Sequence, residues 1–260
     1  MRLQDRVKAA ALPRAEGVNV ADARIGLGYT AVQLDNGWAG VAYTFLDEAS
    51  GGCSVYRNIR LLAGRPAVDL LHLFDTGGRI EAALALATAN ALCNHPDRDY
   101  RRGDILEQLR IRPEDRVGMV GHFGPLVQAI RKQAKALYIF EQIDLPQDNL
   151  LPVSEAEHLL PQCQVALLTS TAIINQTADH LLALAGGCRE IVFLGASTPL
   201  IPEVFEGTGV TLLSGVTVVD PAAIVQIVSE GGGMRFFKSS IEKVNLPLSA
   251  RTHEPEARFR

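Results

Sequence analysis

The sequence lacks the short signatures that name a chemistry outright. None of its four cysteines, Cys53, Cys93, Cys163 and Cys188, falls in C-x-x-C spacing, and no local histidine pair completes a zinc knuckle. Cys93-Asn94-His95 is the nearest approach to a ligand pair. The cysteines therefore read as reduced, mostly buried thiols. P-loop, H-E-x-x-H and Ser-His-Asp spacings are also missing. Positive charge is not in excess: the formal net charge is -4, which argues against a nonspecific nucleic-acid binder. Long apolar runs are absent. The richest, residues 82–93, is alanine-heavy, is interrupted by Thr88 and Asn90, and falls short of the roughly 20 residues that cross a bilayer. Residues 1–13 scatter Arg2, Asp5, Arg6 and Lys8 where a secretory signal would carry an apolar core. These absences point to a cytoplasmic protein, off the membrane and off nucleic acid.

What is present is a globular composition, 47% hydrophobic and 21% charged, in 260 residues. That length exceeds the ~150 residues of an ordinary domain and leaves room for two small domains or one large one. The two halves read differently. Residues 24–34 form one strand-like run, Asp35-Asn36-Gly37 is a turn signal, and residues 40–45 form a second strand. Helical spacing follows over 66–74 and 80–92, where the alanines imply close packing. Residues 1–103 are therefore expected to be a smaller α+β domain.

Residues 104–248 alternate short apolar strands with helices. The strands are expected at 117–120, 136–140, 165–168, 190–194 and 210–213. The helices are expected at 125–134, 154–160, 178–185 and 221–229, with Ser154 and Glu157 in capping-box spacing and Thr177 placed as an N-cap. Such a pattern predicts a parallel sheet covered by helices on both faces, a Rossmann-like α/β arrangement. The charged stretch 101–114 reads as the boundary, and 249–260 as a polar tail.

In an open parallel sheet, ligands bind beyond the carboxyl ends of the strands. The residues following each strand are therefore the candidates. After the first comes Gly121-His122-Phe123-Gly124-Pro125, two glycines and a helix start whose free N–H groups suit an anion or polar ligand. It is not G-x-G-x-x-G, because Phe123 stands where a glycine would admit a pyrophosphate; a plain glycine turn is the alternative. After the second strand comes Glu141, placed to accept from ribose hydroxyls or simply to keep a strand end soluble. The third is followed by Thr169, Ser170, Thr171 and Asn175, either pocket-lining groups or helix caps. The fourth is followed by Gly195-Ala196-Ser197-Thr198-Pro199, expected at a helix start suited to a carboxylate or phosphate. Gly215 and Asp220 form a fifth, weaker candidate. His122, the one histidine at an expected strand end, suits a base, ligand or donor role, against an alternative of plain packing.

With these motifs in view, the chain resembles the family described as putative heavy-metal chelation proteins, the domain of unknown function 364. The resemblance is carried by Gly121-His122-Phe123-Gly124-Pro125, by Glu141, by the Thr169–Thr177 run with its Asn-x-Thr, by Gly195-Ala196-Ser197-Thr198-Pro199-Leu200-Ile201-Pro202, and by Ser214-Gly215 through Asp220-Pro221. Ala87-Thr88-Ala89-Asn90-Ala91-Leu92-Cys93-Asn94 is similar to the family's helix ending in two asparagines. Gly195-Ala196-Ser197 stands where members often carry Gly-Pro-Ser. The resemblance implies a Rossmann-like second domain, a first domain like the N-terminal domain of enolase, and a site between them. His122, Phe123, Glu141, Thr169, Ser170, Asn175, Ser197 and Thr198 would face it from one side, and Asn90 and Asn94 from the other.

Three functions compete. The first is binding of a small polar molecule, a chelator or a pterin-like or nucleoside-like compound, with His122, Glu141 and Asn175 as candidate catalytic groups. The second is direct metal binding through His122, Glu141 and Asp220, although soft-ligand clusters are missing. The third is S-adenosylmethionine-dependent methyl transfer. A metal ion or a nucleoside-type cofactor is thus the candidate cofactor, and a homo-oligomer is left open.

Overall fold

The computed structural model of the chain describes residues 1–45, 55–56, 58–59 and 61–248. The expected tail, 249–260, and Cys53 lie outside the described residues. The chain opens on a helix that the sequence reading did not anticipate, α1 (Leu3–Ala11). Leu3, Val7 and Ala11 recur at helical spacing and are buried. The scattered charges at its start are the outer face of this amphipathic helix.

Three antiparallel strands follow, β1 (Val20–Ile25), β2 (Tyr29–Leu34) and β3 (Ala39–Tyr43). The run 24–34, expected as one strand, is two: the chain reverses at Gly26-Leu27-Gly28, where the Gly26 N–H donates to Tyr29 O at 2.9 Å. Next come α2 (Ala67–Leu71), which tightens into a 3-10 turn over His72–Thr76, and α3 (Arg79–Cys93). Every α3 residue except Arg79 and Glu81 is buried. Its alanines let β3 approach closely. A Cβ added at Gly40 would overlap Ala91 N and Ala87 O and lie 2.7 Å from Asn90 C.

The rest of the chain builds an eight-stranded sheet. Its elements are β4 (Arg101–Arg102), β5 (Arg116–Val120), α4 (Gly124–Gln133), β6 (Ala136–Glu141), β7 (Leu150–Pro152), α5 (Ala156–Leu159), β8 (Val165–Thr169), α6 (Ala178–Leu184), β9 (Glu190–Leu194), β10 (Leu212–Val218), α7 (Pro221–Ser229), α8 (Met234–Phe237) and β11 (Ile241–Pro247). The spatial order is β4-β11-β10-β9-β8-β5-β6-β7. Strands β5 to β10 pair in parallel, whereas β11 and β4 are antiparallel additions at one edge. Read from β7 to β10, the parallel strands follow the doubly wound order 3-2-1-4-5-6, and the winding reverses between β5 and β8.

Alternate strand residues serve the two faces. Val117, Met119, Val165, Leu167, Val192 and Leu194 pack with Leu126 and Ile130 of α4. Phe140, Ala166, Leu168, Ile191 and Phe193 belong to the core that runs through α3 and α1. The small sheet lies between α3 and the β10–α7 region, with Ala31, Ala39 and Val41 packed against Val216, Ile224 and Val228. The apolar interior is therefore continuous between the two halves.

Several local expectations are corrected. The helix expected at 154–160 is two 3-10 turns flanking the single turn α5, and Ser154 makes no cap; Glu157 turns instead to His180. Thr177 does not cap α6; its own N–H and hydroxyl donate to Asn175 Oδ1. The strand expected at 210–213 runs over Leu212–Val218. No helix among the described residues is long and apolar enough to cross a membrane.

Because the Gly40 contact is with helix backbone, which cannot rotate away, Gly40→Ala is expected to destabilise the protein by about 3 kcal/mol or more. The urea midpoint measures this, and an unchanged midpoint would contradict the packing described.

Candidate functional site

A cleft of about 700 Å³ opens at the carboxyl ends of β5, β6 and β8, at the reversal in the winding. Two features build its floor. The chain leaves β5 at Gly121 with φ +91, a conformation that keeps its N–H on Phe140 O at 2.9 Å while His122 turns outward. A Cβ there would lie 3.0 Å from the Thr169 Cβ and 3.4 Å from the Phe123 ring. Phe123 thus fills the space into which a pyrophosphate would descend. The Glu141 carboxylate ends β6 and accepts the His122 N–H at 2.5 Å and its neighbour Gln142's N–H at 3.3 Å. These bonds hold it at the cleft edge with acceptor capacity left over.

The next wall comes from the segment after β8. Thr169 and Thr171 share a hydroxyl–hydroxyl bond of 3.0 Å, and both line the cleft. Asn175 spends its Oδ1 on the backbone and hydroxyl of Thr177, at 3.3 and 2.7 Å. Gln176, in the left-handed region at φ +62, accepts from Arg2 at 2.8 Å, while Asp179 accepts the Leu3 N–H at 3.1 Å. The first helix therefore pins this wall in place. On the far side, α5 and α6 are bridged by His180 Nε2 and Glu157 Oε1, 2.5 Å apart. Tyr43 and Phe45, rings packed edge to face with centroids 5.1 Å apart, close the cleft from the small sheet. The Arg79 guanidinium lies over the Phe45 ring, 5.0 Å from its centroid.

The structure divides the sequence-predicted residues into three sets. Gly121, His122, Phe123, Glu141, Thr169, Thr171 and Asn175 line one cleft. Ser170 and Gly195 lie beneath it: Ser170 Oγ is buried without a hydrogen-bond partner and is 3.0 Å from where a Gly195 Cβ would stand. Gly124 is the first residue of α4, beside the His122 ring. The remaining candidates sit elsewhere. Asn90, Asn94, Ser197 and Thr198 are buried, joined to one another's backbones. Asn90 Nδ2 donates to Val41 O at 2.9 Å and Ser197 O at 3.2 Å. Asn94 donates to Thr198 O at 2.9 Å and accepts the Leu200 N–H at 2.8 Å. Ser197 Oγ accepts the Tyr43 N–H at 2.8 Å. They clasp the two halves together and do not line the cleft. No helix starts at 196–200, so the anion-binding turn expected there is a buried connection. Asp220 is exposed and caps α7 through the Ala223 N–H at 3.1 Å, away from His122 and Glu141.

Sequence reasoning missed Tyr43, Phe45, Glu157 and His180. Tyr43-Thr44-Phe45 has the alternation of a strand end placing both rings on one side. The Glu157–His180 meeting joins two helices and leaves no mark in local spacing.

Residues 104–247 match the model of a family described as "putative heavy-metal chelation" (DUF364), and residues 8–93 match a second model with the same description (DUF4213). The chain belongs to the DUF364 family. An uncharacterized protein of Methanocaldococcus jannaschii is 22% identical over 247 residues, covering 90% of this chain and 92% of the relative. The crystal structure of a DUF364 protein of unknown function from Pyrococcus horikoshii superposes with a TM-score of 0.80 at 25% identity, over 95% of this chain and 100% of that one. Another DUF364 protein of unknown function, from Desulfitobacterium hafniense, gives 0.78 at 23% identity, over 94% and 98%. The DUF364 description suggests metal or small-molecule binding.

The side chains do not fit a soft-metal centre of their own. Among the described residues, no three His, Cys, Asp or Glu side chains are grouped to hold a metal ion. Burial pushes the thiols of Cys93, Cys163 and Cys188 up to about 11, 12 and 11, so they are not thiolates near neutral pH. Among the described residues no lysine or arginine lines the cleft, which carries Glu141 and Glu157. Its electrostatics favour neutral or cationic groups over free polyanions.

Asn94→Ala is expected to cost about 2–3 kcal/mol, because it leaves Thr198 O and the Leu200 N–H buried without a partner. Thermal unfolding should register the loss; a stability equal to wild type would return Asn94 to the candidate ligand set.

Proposed function

We propose that the chain binds a small, flat, polar molecule in this cleft, as part of making or handling a metal chelator. The observation that carries the reading is the convergence of the β5, β6 and β8 strand ends at the winding reversal, walled by Tyr43 and Phe45. Ligand sites of doubly wound sheets form at that place. The aromatic wall suits a conjugated ring system such as a pterin-like or nucleoside-like compound. Glu141 and the Thr169–Thr171 hydroxyls offer acceptors and donors to its polar edge. With two carboxylates and no lysine or arginine among the described lining residues, a multi-carboxylate chelator is better accepted with its metal bound, which lowers its negative charge. A metal would then arrive already held by the organic ligand, with His122 or Glu141 adding at most a further donor.

A nucleoside-type cofactor, including S-adenosylmethionine, is the second reading. Glu141 favours it, standing at the end of the strand next to β5 where an acidic residue meets ribose hydroxyls. Phe123 weighs against it by closing the phosphate approach.

Native mass spectrometry with elemental analysis of the purified protein should find one organic ligand per chain. Titration with guanosine, neopterin and an amino-acid-derived chelator, with and without nickel or zinc, then ranks the classes. Phe45→Ala and Thr171→Val are each expected to weaken the bound class by about tenfold, the value of one aromatic contact or one buried hydrogen bond. The proposal fails if no compound binds, or if these variants bind it as tightly as wild type.

A further inference from the structure

The opposite edge of the large sheet carries a second cavity with a reversed electrostatic character. It lies at the amino-terminal ends of β9 and β10 and at the end of β11, and holds about 400 Å³. Arg101, Arg110, Arg112 and Arg189 all line it, in a chain whose net charge is -4. Only Arg189 is neutralised: its guanidinium grips the buried Asp115 with two bonds, at 3.0 and 2.8 Å, and holds that carboxyl below its usual range. Arg101 donates to the neutral Gln108 Oε1 at 3.2 Å. Among the described residues, Arg110 and Arg112 have no carboxylate in salt-bridge range.

The floor is unusual. Glu190, the one carboxylate in the lining, is buried and accepts the Arg110 backbone N–H at 3.2 Å, with no hydrogen bond to the Arg110 guanidinium. Burial pushes its carboxyl up, against the pull of Arg189 and Arg110. Three guanidinium groups and the Gln108 amide thus border one concavity as donors. Guanidinium forks match the oxygens of a phosphate two at a time.

We propose that this cavity is a phosphate-recognising site, in which Arg101, Arg110 and Arg112 hold the phosphate group of a small anion. It is separate from the cleft at the carboxyl ends of the strands and does not depend on what binds there.

The test is calorimetric titration of the full-length chain with inorganic pyrophosphate and inorganic phosphate at low ionic strength. One saturable site per chain is expected, with pyrophosphate the tighter. The Arg110→Gln/Arg112→Gln double variant should weaken it by at least about tenfold, and Arg112→Lys, which keeps the charge but not the fork, by an intermediate factor. Arg131→Gln removes a single charge from the exposed face of α4 and should change affinity less than about twofold. Unchanged melting temperatures would show that the variants are folded; both arginines are exposed. The proposal is overturned if neither anion saturates a site below about 5 mM, a free energy near 3 kcal/mol. Binding by the double variant as in wild type, or an equal loss in Arg131→Gln, would also overturn it.

Discussion

The carboxamides of Asn90 and Asn94 hold the molecule's two halves in register. Asn90 lies in the last turn of α3 and Asn94 follows its end as the C-cap, where the helix has no solvent face, and each reaches buried backbone across the seam. Asn94 satisfies a carbonyl and an N–H two residues apart in the 198–200 connection, one with each end of its amide. Asn90 and Ser197 repeat the arrangement across β3. Hydrogen bonds to buried backbone cost dearly when broken, so this seam resists sliding in a way that apolar packing alone does not. The position of Tyr43 and Phe45 over the sheet follows from it, and with that position the shape of the cleft.

The two ends of the large sheet have diverged in charge. The carboxyl end gathers hydroxyls, amides, two carboxylates and aromatic rings; the amino end gathers arginines. The parallel part of the sheet makes this separation easy, because strands β5 to β10 point the same way and each end collects one class of loop. Ligands of different charge can thus be sorted by the end they approach.

Parallel strands were legible where they are short uninterrupted apolar runs between turn residues, as in 165–168 and 190–194; the three-residue β7 was not read, and β10, broken by Ser214, Gly215 and Thr217, was placed early and cut short. β11 was not: Ile241-Glu242-Lys243-Val244-Asn245 mixes polar and apolar residues with no uninterrupted apolar run, and resembles a surface loop. The amphipathic α1 was hidden because its charges were read for a targeting signal. At the site, the strand-end rule located Gly121, Glu141, Thr169 and Thr171, whose positions depend on their own strand. It misplaced Ser197 and Thr198, since periodicity gives a loop's place along the chain and not the depth at which a neighbouring helix buries it. Asn90 and Asn94 stood out in the sequence for a structural reason, their service to backbone across the seam. Glu157 and His180 belong to different helices, and only the tertiary fold brings them within bonding distance.

The attachment of the first helix to the 176–179 segment ties two distant parts of the chain into one cooperative unit. Arg2 and the Leu3 amide hold the same short stretch whose neighbour, Asn175, faces the cleft. Fraying of the opening turn thus loosens the wall, and anything that tightens the wall must, by thermodynamic reciprocity, slow that fraying. On the proposed reading, filling the cleft slows exchange of the amide protons at the start of the chain, which makes them a remote reporter of occupancy.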